Sequence, residues 1–127
     1  MKEEIRTVNA PAAIGPYSQA LKSGNTVFVS GCLPVDPKTG EIKTEIKSAT
    51  KQMMENMKAV LMEAGLAMTD VVKTTVFVSD LEMFADMNSV YAEYFEKPYP
   101  ARSCVQVARL PKDVLVEAEC IAVIGQL

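Results

Sequence analysis

The segment from Val71 to Ser79, VVKTTVFVS, constrains the fold more than any other part of the chain. It is rich in β-branched residues and almost continuously apolar along its second half, a pattern typical of a central strand with both faces covered. Such a strand needs helices packed nearby, so the sequence around it has to provide them.

Two amphipathic helices are predicted on either side of this strand. Between about Glu45 and Ala64, apolar side chains recur every three or four residues, and Gly65 follows where a helix would end. The second helix starts at the Ser79-Asp80 pair, whose side chains can cap it, and stops before Lys97-Pro98. Both helices would present one apolar face to a sheet.

Three further strands define the predicted fold class. The segments at 26–32, 102–108 and 114–124 are β-branched or alternating, and the loop at 109–113 is short enough for a β-hairpin between the last two. The predicted order is β, α, β, α, β, β, and no linker or repeat divides residues 1–127. This order describes a single α+β domain, a two-layer sandwich with both helices on one face of the sheet.

The other face of the predicted sheet has no helix to cover it. That face has to be polar or buried by another chain. Small apolar residues occupy alternate positions of the last strand, namely Val114, Val116, Ala118, Cys120 and Ala122. The pattern favours an oligomer in which a second copy covers this row.

The charge of the chain argues against nucleic acid as a partner. There are 13 basic and 16 acidic side chains, a net charge of -3, and no window crowded with lysine or arginine. The chain also lacks an apolar run of membrane-spanning length, and its first residues, MKEEIRTVNAP, lack the apolar centre of a signal peptide. We therefore expect a cytoplasmic protein with no membrane partner, for which nucleic acid is not the default partner.

The absence of histidine narrows the possible chemistry. Without it the chain has no Ser-His or Cys-His nucleophile pair, so catalysis has to rely on Glu, Asp, Lys, Tyr, Cys or water. The three cysteines, Cys32, Cys104 and Cys120, are widely spaced and form no Cys-x-x-Cys motif. Neither a disulfide nor a metal site is expected, and Cys32 and Cys120 are interpreted as small core residues.

A candidate binding site lies in the strand that begins at Arg102. Arg102 and Cys104 share one face of this strand, about 7 Å apart. A guanidinium beside apolar surface suits a planar carboxylate, although a surface salt bridge is the more frequent use of such an arginine. Cys104 has no histidine to activate its thiol, so we expect it to line a pocket or to contribute its backbone carbonyl.

Glu117 is a candidate working carboxylate in the last strand. Alternation places Glu117 and Glu119 on the face opposite the small apolar row. A symmetric hairpin would put Arg102 opposite Cys120 and Glu117 on the other face, whereas a bulge near Pro111 would reverse this arrangement. With the symmetric hairpin, a site containing both Arg102 and Glu117 needs two subunits.

Two weaker candidates come from the N-terminal half of the chain. Tyr17 lies in a loop stiffened by Pro11 and Pro16, where its hydroxyl could meet a ligand, although packing explains a tyrosine there equally well. Ser30 and Gly31 end the first clear strand and offer a hydroxyl and an unencumbered backbone.

Four motifs resemble the Rid family, also called YjgF, and in particular its RidA subgroup. They are PAAIGPYSQ at 11–19, VSG at 29–31, VVKTTVFVSDL at 71–81 and PARSCVQVARLPKDVLVEAE at 100–119. The similarity spans essentially the whole chain, and the last motif is the most specific. It implies a fold similar to chorismate mutase, with a mixed, mostly antiparallel sheet, and a homotrimer with clefts between its subunits.

The resemblance also implies an activity. Members of the family hydrolyse reactive enamine and imine acids to 2-keto acids and ammonia, without a cofactor or metal. The substrates include 2-aminoacrylate, 2-iminopropanoate and 2-iminobutanoate, which are released by pyridoxal-phosphate enzymes such as dehydratases. By position, Arg102 would bind the substrate carboxylate, and the cleft would be lined by Tyr17, Ser30, Gly31, Asn88, Cys104 and Glu117.

The resemblance suggests roles for three of these residues. In this hypothesis Glu117 orients or deprotonates the attacking water, the Cys104 carbonyl holds the substrate nitrogen or the water, and Tyr17 assists proton transfer. Two other functions stay open. One is a translation-inhibiting endoribonuclease, which the negative charge and missing histidine disfavour. The other is a non-catalytic module that binds a small carboxylate for regulation, since Arg102 would serve both roles.

Overall fold

Six strands form one sheet in the computed structural model, which describes residues 1–125. The strands are β1 (Lys2–Ile5), β2 (Ala20–Ser23), β3 (Thr26–Cys32), β4 (Val71–Val78), β5 (Ala101–Gln106) and β6 (Val116–Val123). Their order across the sheet is β1-β2-β3-β6-β4-β5, so β1 and β5 are the edges. All neighbours are antiparallel except β4 and β5, which confirms the mixed, mostly antiparallel sheet.

Two α-helices pack against one face of this sheet and confirm the two-layer α+β fold. They are α1 (Ile46–Glu63) and α2 (Phe84–Tyr91). Short 3₁₀ turns at Leu81–Met83 and Ala92–Tyr94 replace the two ends of the predicted second helix. None of the helices within residues 1–125 is both long enough and apolar enough to cross a membrane.

The limits of the helices follow from local capping. The Glu45 carboxylate accepts hydrogen bonds from the backbone N–H groups of Lys47 and Ser48, which satisfies free donors at the start of α1. Gly65 follows α1 with a φ of 78°, a conformation that glycine adopts without steric cost. The Asp80 carboxylate accepts the N–H of Glu82 and so caps the second helical segment, as predicted.

The core lies between the helices and the sheet. Several side chains of α1 are fully buried there, namely Met53, Met54, Met57 and Leu61. They belong to one cluster with the small apolar row of β6, whose members Val116, Ala118, Cys120 and Ala122 are also buried. The row therefore faces helices of its own chain, and the prediction that a second copy covers it is wrong.

The predicted β-hairpin between the last two strands is also wrong. β4 lies between β5 and β6, so that Thr74 pairs with Arg102 on one side and with Cys120 on the other. The connection passes the end of β4, where Val107 and Leu115 form backbone hydrogen bonds with β4 and the residue after it. The apolar β4 thereby gains strand partners on both sides, and the more exposed β5 takes the edge.

The predicted assignment of residues to the two faces nevertheless holds. Arg102 and Cys120 lie on the helix side, because both pair with the buried Thr74. Glu117 pairs with Phe77 and lies on the opposite face. Because β4 lies between the two strands, Arg102 and Cys120 do not pair directly with each other. Paired residues of neighbouring strands share a face of the sheet, so each residue still lies on the predicted face.

The face of the sheet away from the helices is partly apolar and has no covering layer within residues 1–125. Phe28 is 47% exposed there, beside its pairing partners Leu21 and Ile121. Val105, which pairs with Phe77, is 43% exposed. We call this surface the open face. β4 is thus covered on one face only, whereas its apolar sequence predicts cover on both.

The strands β1 and β2 are not predicted from the sequence. Each strand has only four residues, KEEI and ALKS, and neither is long enough to show an alternating pattern. They pair with each other and with β3, so they extend the sheet at the edge away from β5.

Candidate functional site

Arg102 lies on the edge strand β5 with its side chain held against α2. Its Nη1 donates a hydrogen bond of 2.6 Å to Asn88 Oδ1, and its guanidinium carbon lies 4.8 Å from the ring centroid of Tyr91. Phe84 contributes a second ring at 5.4 Å. Within residues 1–125, no carboxylate lies within salt-bridge distance of Arg102. Arg102 therefore forms no salt bridge with the described part of its own chain.

Cys104 is half-buried on the same face of β5 as Arg102. Burial raises the pKa of its thiol, and the neighbouring Arg102 opposes this rise to a smaller extent. The thiol is therefore protonated at neutral pH and is a poor nucleophile. Cys32 is buried as predicted, and burial, followed by the charge of Glu117, raises its thiol pKa to about 12.

A β-bulge shapes the second group of candidates. Between Val29 and Cys32, β3 has one residue more than the stretch of β6 with which it pairs. The bulge contains Ser30 and Gly31. A Cβ built on Gly31 would overlap the Glu117 carboxylate, so glycine is required for this close approach. The bulge thus brings an open stretch of backbone and a carboxylate together.

The Glu117 carboxyl is half-buried, and burial raises its pKa above the usual range of a glutamate. The negative charge of Glu119, two residues along the same strand face, is the second and smaller cause. Both effects make Glu117 a better proton acceptor than an exposed carboxylate, because a conjugate base becomes stronger as its pKa rises.

Tyr17 lies near the bulge. Tyr17, Ser30 and Gly31 line one pocket, together with Lys112. Tyr17 is 51% exposed, so it does not pack as a core tyrosine in the single chain. The hydroxyl of Ser30 donates a hydrogen bond of 2.6 Å to the carbonyl of Ser18, which ties the Tyr17 loop to β3.

The candidate residues form two groups that do not meet within one chain. The first, here the Arg102 group, consists of Arg102, Asn88 and Cys104 on the helix side of the β5 edge. The second, the Glu117 group, consists of Glu117, which lies against Gly31 at the β3 bulge, and of Ser30, Gly31 and Tyr17, which line one pocket. Arg102 and Glu117 lie on opposite faces of the sheet, and their partners on β4 are separated by roughly 10 Å of strand.

Three side chains that support these groups are not predicted from the sequence. Gln19 is buried, accepts the N–H of Thr7, and donates to the carbonyls of Thr7, Ala10 and Pro11, so it fixes the loop that leads to Tyr17. Phe84 and Tyr91 flank Arg102. Phe84 lies four residues before Asn88, and Tyr91 lies three residues after it, so all three residues share one helix face. This spacing can be recognised in the sequence.

Comparison with known proteins identifies the family. Residues 7–124 match the family described as Endoribonuclease L-PSP, and the chain belongs to this family, which is also known as YjgF or Rid. A RutC family protein of Pyrococcus horikoshii is 58% identical over 96% of this chain and 98% of its own length. The 2-iminobutanoate/2-iminopropanoate deaminase of Escherichia coli K12 is 52% identical over 97% of this chain and 98% of its own.

Solved structures show the same fold. The structure of E. coli TdcF with bound serine superposes with a TM-score of 0.93 at 49% identity, covering 97% of this chain and 99% of that chain. The predicted fold class and family are thereby confirmed, while the roles of the individual site residues stay predictions.

Proposed function

We propose that this protein is a hydrolytic deaminase of 2-imino acids and their enamine tautomers. It converts 2-iminobutanoate and 2-iminopropanoate into the 2-keto acids and ammonia. The observation that carries the proposal is Arg102, which is held against α2 without a carboxylate partner in residues 1–125. The chain is also 52% identical to an E. coli protein named for this activity. Every substrate of this class has the planar carboxylate that a guanidinium binds with two hydrogen bonds.

The reaction needs little beyond positioning and proton transfer. Water attacks C2 of the C=N group, and the nitrogen takes up a proton to give a carbinolamine. The C–N bond then breaks, ammonia leaves, and C2 becomes a carbonyl. The imine is already electrophilic, so a fixed carboxylate, an ordered water and one base are sufficient, and a chain without histidine can supply them.

Three residues take the remaining roles in this proposal. Glu117, with its raised pKa, orients or deprotonates the attacking water. The backbone carbonyl of Cys104 holds the substrate nitrogen or the water. This role suits Cys104 because its thiol is protonated and because β5, as an edge strand, has a neighbouring strand on one side only. Tyr17, exposed beside the bulge, assists proton transfer, and Ser30, Gly31 and Asn88 line the cleft.

The proposed site is completed by a second copy of the chain. Arg102 and Glu117 lie on opposite faces of one sheet, and the open face exposes Phe28 and Val105. We propose a homotrimer in which this surface is buried and each cleft combines the Arg102 group of one subunit with the Glu117 group of another. The substrates are the unstable products of pyridoxal-phosphate-dependent dehydratases, and the proposed location is the cytoplasm.

The deaminase proposal is tested by releasing 2-iminobutanoate enzymatically and measuring ammonia and 2-ketobutanoate. Wild type should accelerate their release over the spontaneous rate. Arg102→Ala should lose at least about a hundredfold in kcat/KM, because a buried charge-assisted contact to the substrate is removed. Release that is unchanged in Arg102→Ala would overturn the assignment.

Two other candidate functions have specific support. TdcF was solved with serine bound, which is compatible with a module that binds small carboxylates without turnover. In that case ligands would stabilise the wild type but not Arg102→Ala, and no ammonia would be released. The family description names an endoribonuclease, and RNA cleavage by wild type that is lost in Arg102→Ala would support this alternative.

A further inference from the structure

We propose that Tyr91 is a positioning residue, which orients the Arg102 guanidinium so that it can bind a planar carboxylate. The inference rests on the proposed role of Arg102 as the carboxylate anchor. Tyr91 lies on α2 and acts through Arg102, without contacting the substrate itself.

The contact between the two side chains is defined by position and distance. The guanidinium carbon of Arg102 lies 4.8 Å from the centroid of the Tyr91 ring, within the range of an attractive cation–π contact. Asn88 Oδ1 accepts a hydrogen bond of 2.6 Å from Nη1 of Arg102. The ring thus supports the face of the guanidinium, while Asn88 fixes one of its ends.

Tyr91 is itself held in place. Its hydroxyl shares a buried hydrogen bond of 2.7 Å with Thr74 Oγ1, and Thr74 is the β4 residue that pairs with Arg102. Its ring also contacts Phe95, with 4.9 Å between the ring centroids. Burial raises the pKa of the Tyr91 hydroxyl, so it stays neutral and keeps this hydrogen bond. The support for Arg102 is therefore anchored to the adjacent strand of the same sheet.

This arrangement leaves Nη2 and Nε of Arg102 without a hydrogen-bond partner within residues 1–125. Donors that are already fixed in a plane can engage both oxygens of a carboxylate with little further loss of side-chain freedom. Tyr91 should therefore affect substrate binding more than the chemical step, because a carboxylate contact is present in the substrate and in the transition state alike.

Two substitutions at position 91 separate positioning from stability. Tyr91→Phe keeps the ring but leaves the buried Thr74 hydroxyl without its partner, so it should unfold at lower urea concentration yet keep KM for 2-iminobutanoate within about twofold. Tyr91→Leu removes the ring face and should raise KM about tenfold, with kcat changed less than about threefold. The dissociation constant of 2-ketobutanoate, measured by calorimetry, should rise in parallel with KM.

A matched control is Tyr94→Leu. Tyr94 lies three residues further on, and its hydroxyl bonds Glu55 at 2.6 Å, so this change also removes a ring and a hydrogen bond. Its KM should equal that of wild type. Phe84→Leu removes the more distant ring and should raise KM about two- to threefold. If Tyr91→Leu does not fold, this variant still tests whether the flanking rings position the guanidinium.

The proposal is overturned if Tyr91→Leu and Phe84→Leu keep the wild-type KM, or if Tyr91→Phe raises KM as much as Tyr91→Leu. In the second case the rise in KM would come from the lower stability of the variant and not from loss of the ring contact with Arg102. Arg102→Ala, measured in the same assay, identifies which claim fails. If Arg102→Ala retains wild-type turnover, the anchor itself is wrong. If Arg102→Ala is inactive while Tyr91→Leu binds normally, only the role of Tyr91 is wrong.

Discussion

At the scale of single residues, the candidate site depends on one close approach. Gly31 and Glu117 belong to neighbouring strands, and the missing side chain of Gly31 makes room for the carboxylate. No positive φ is involved at Gly31, so an alanine there would be strained only by its contact with Glu117. Position 31 therefore controls where Glu117 points.

Gly31→Ala should keep the fold but lose activity. The methyl group can be accommodated if the flexible Glu117 side chain moves, so the stability loss should stay below about 1 kcal/mol. The same movement displaces the carboxylate from the proposed water, and kcat for 2-iminobutanoate should fall by at least about tenfold. The control is Gly15→Ala, whose Cβ would meet only ordinary contacts at 3.6 Å and which should behave as wild type. Full kcat in Gly31→Ala would argue against a catalytic Glu117.

The pH dependence of activity tests the state of Glu117. A base must be ionised, so kcat/KM should decline as the pH falls through the raised pKa of Glu117, above the usual range for a glutamate. In Glu119→Gln the smaller cause of the raised pKa is removed and burial remains, so the decline should move partway to lower pH. A profile that is identical in wild type and Glu119→Gln would contradict this explanation.

Stability should change in the opposite direction to activity. The raised pKa means that the folded chain disfavours ionised Glu117, so its protonated form stabilises the fold at acid pH and this contribution is lost as the pH rises. Glu117→Gln should therefore be more stable than wild type at pH 7, by less than about 1 kcal/mol because the group is half-exposed, and should lose this advantage at acid pH. Urea unfolding at both pH values measures the difference.

Among the elements of the fold, the loop between β1 and β2 depends on the buried Gln19 side chain, which forms four hydrogen bonds with it. Gln19 precedes β2 and bonds the backbone at Thr7, Ala10 and Pro11. No strand or helix lies between β1 and β2, so the loop that carries Tyr17 is held by these bonds, by the bond from the Ser30 hydroxyl to the Ser18 carbonyl, and by backbone bonds at Tyr17 and Gln19.

Gln19→Ala should destabilise the chain and release this loop. Several buried backbone groups would lose their hydrogen-bond partner, so the free energy of unfolding should fall by about 2–4 kcal/mol. Hydrogen exchange at the Thr7 amide should become faster. Gln52→Ala, which removes one side-chain hydrogen bond to Asn56 on α1, should cost less and leave Thr7 unchanged. Equal exchange rates at Thr7 in Gln19→Ala and wild type would show that the loop is held by other contacts.

Periodicity predicts those elements whose pattern is long enough to be recognised. α1, β3, β4 and β6 have strong local patterns, and the structure confirms them. The four-residue strands β1 and β2 have no such pattern, and the pairing of β5 with β4 depends on contacts between distant parts of the chain. The same limit applies to the site, because alternation assigns Arg102 and Glu117 to opposite faces but does not reveal the bulge at Ser30-Gly31.

For the molecule as a whole, the open face is the observation behind our proposal that a second copy completes the site. Its apolar side chains, among them Phe28 and Val105, have no cover within residues 1–125, and Glu117 lies on the same side. The small apolar row of β6 does not support an oligomer, because it is buried in the core of its own chain. The open face replaces it as the basis for the proposed trimer.

Mixing two inactive variants tests whether each site is shared between two subunits. Arg102→Ala and Glu117→Ala should each lose deamination of 2-iminobutanoate, whereas equal amounts that are unfolded and refolded together should regain activity. If each cleft takes Arg102 from one subunit and Glu117 from another, random assembly leaves about a quarter of the clefts intact, and about a quarter of the wild-type rate should return. A mixture that forms the same oligomer as wild type but stays as inactive as its parents would contradict the shared site.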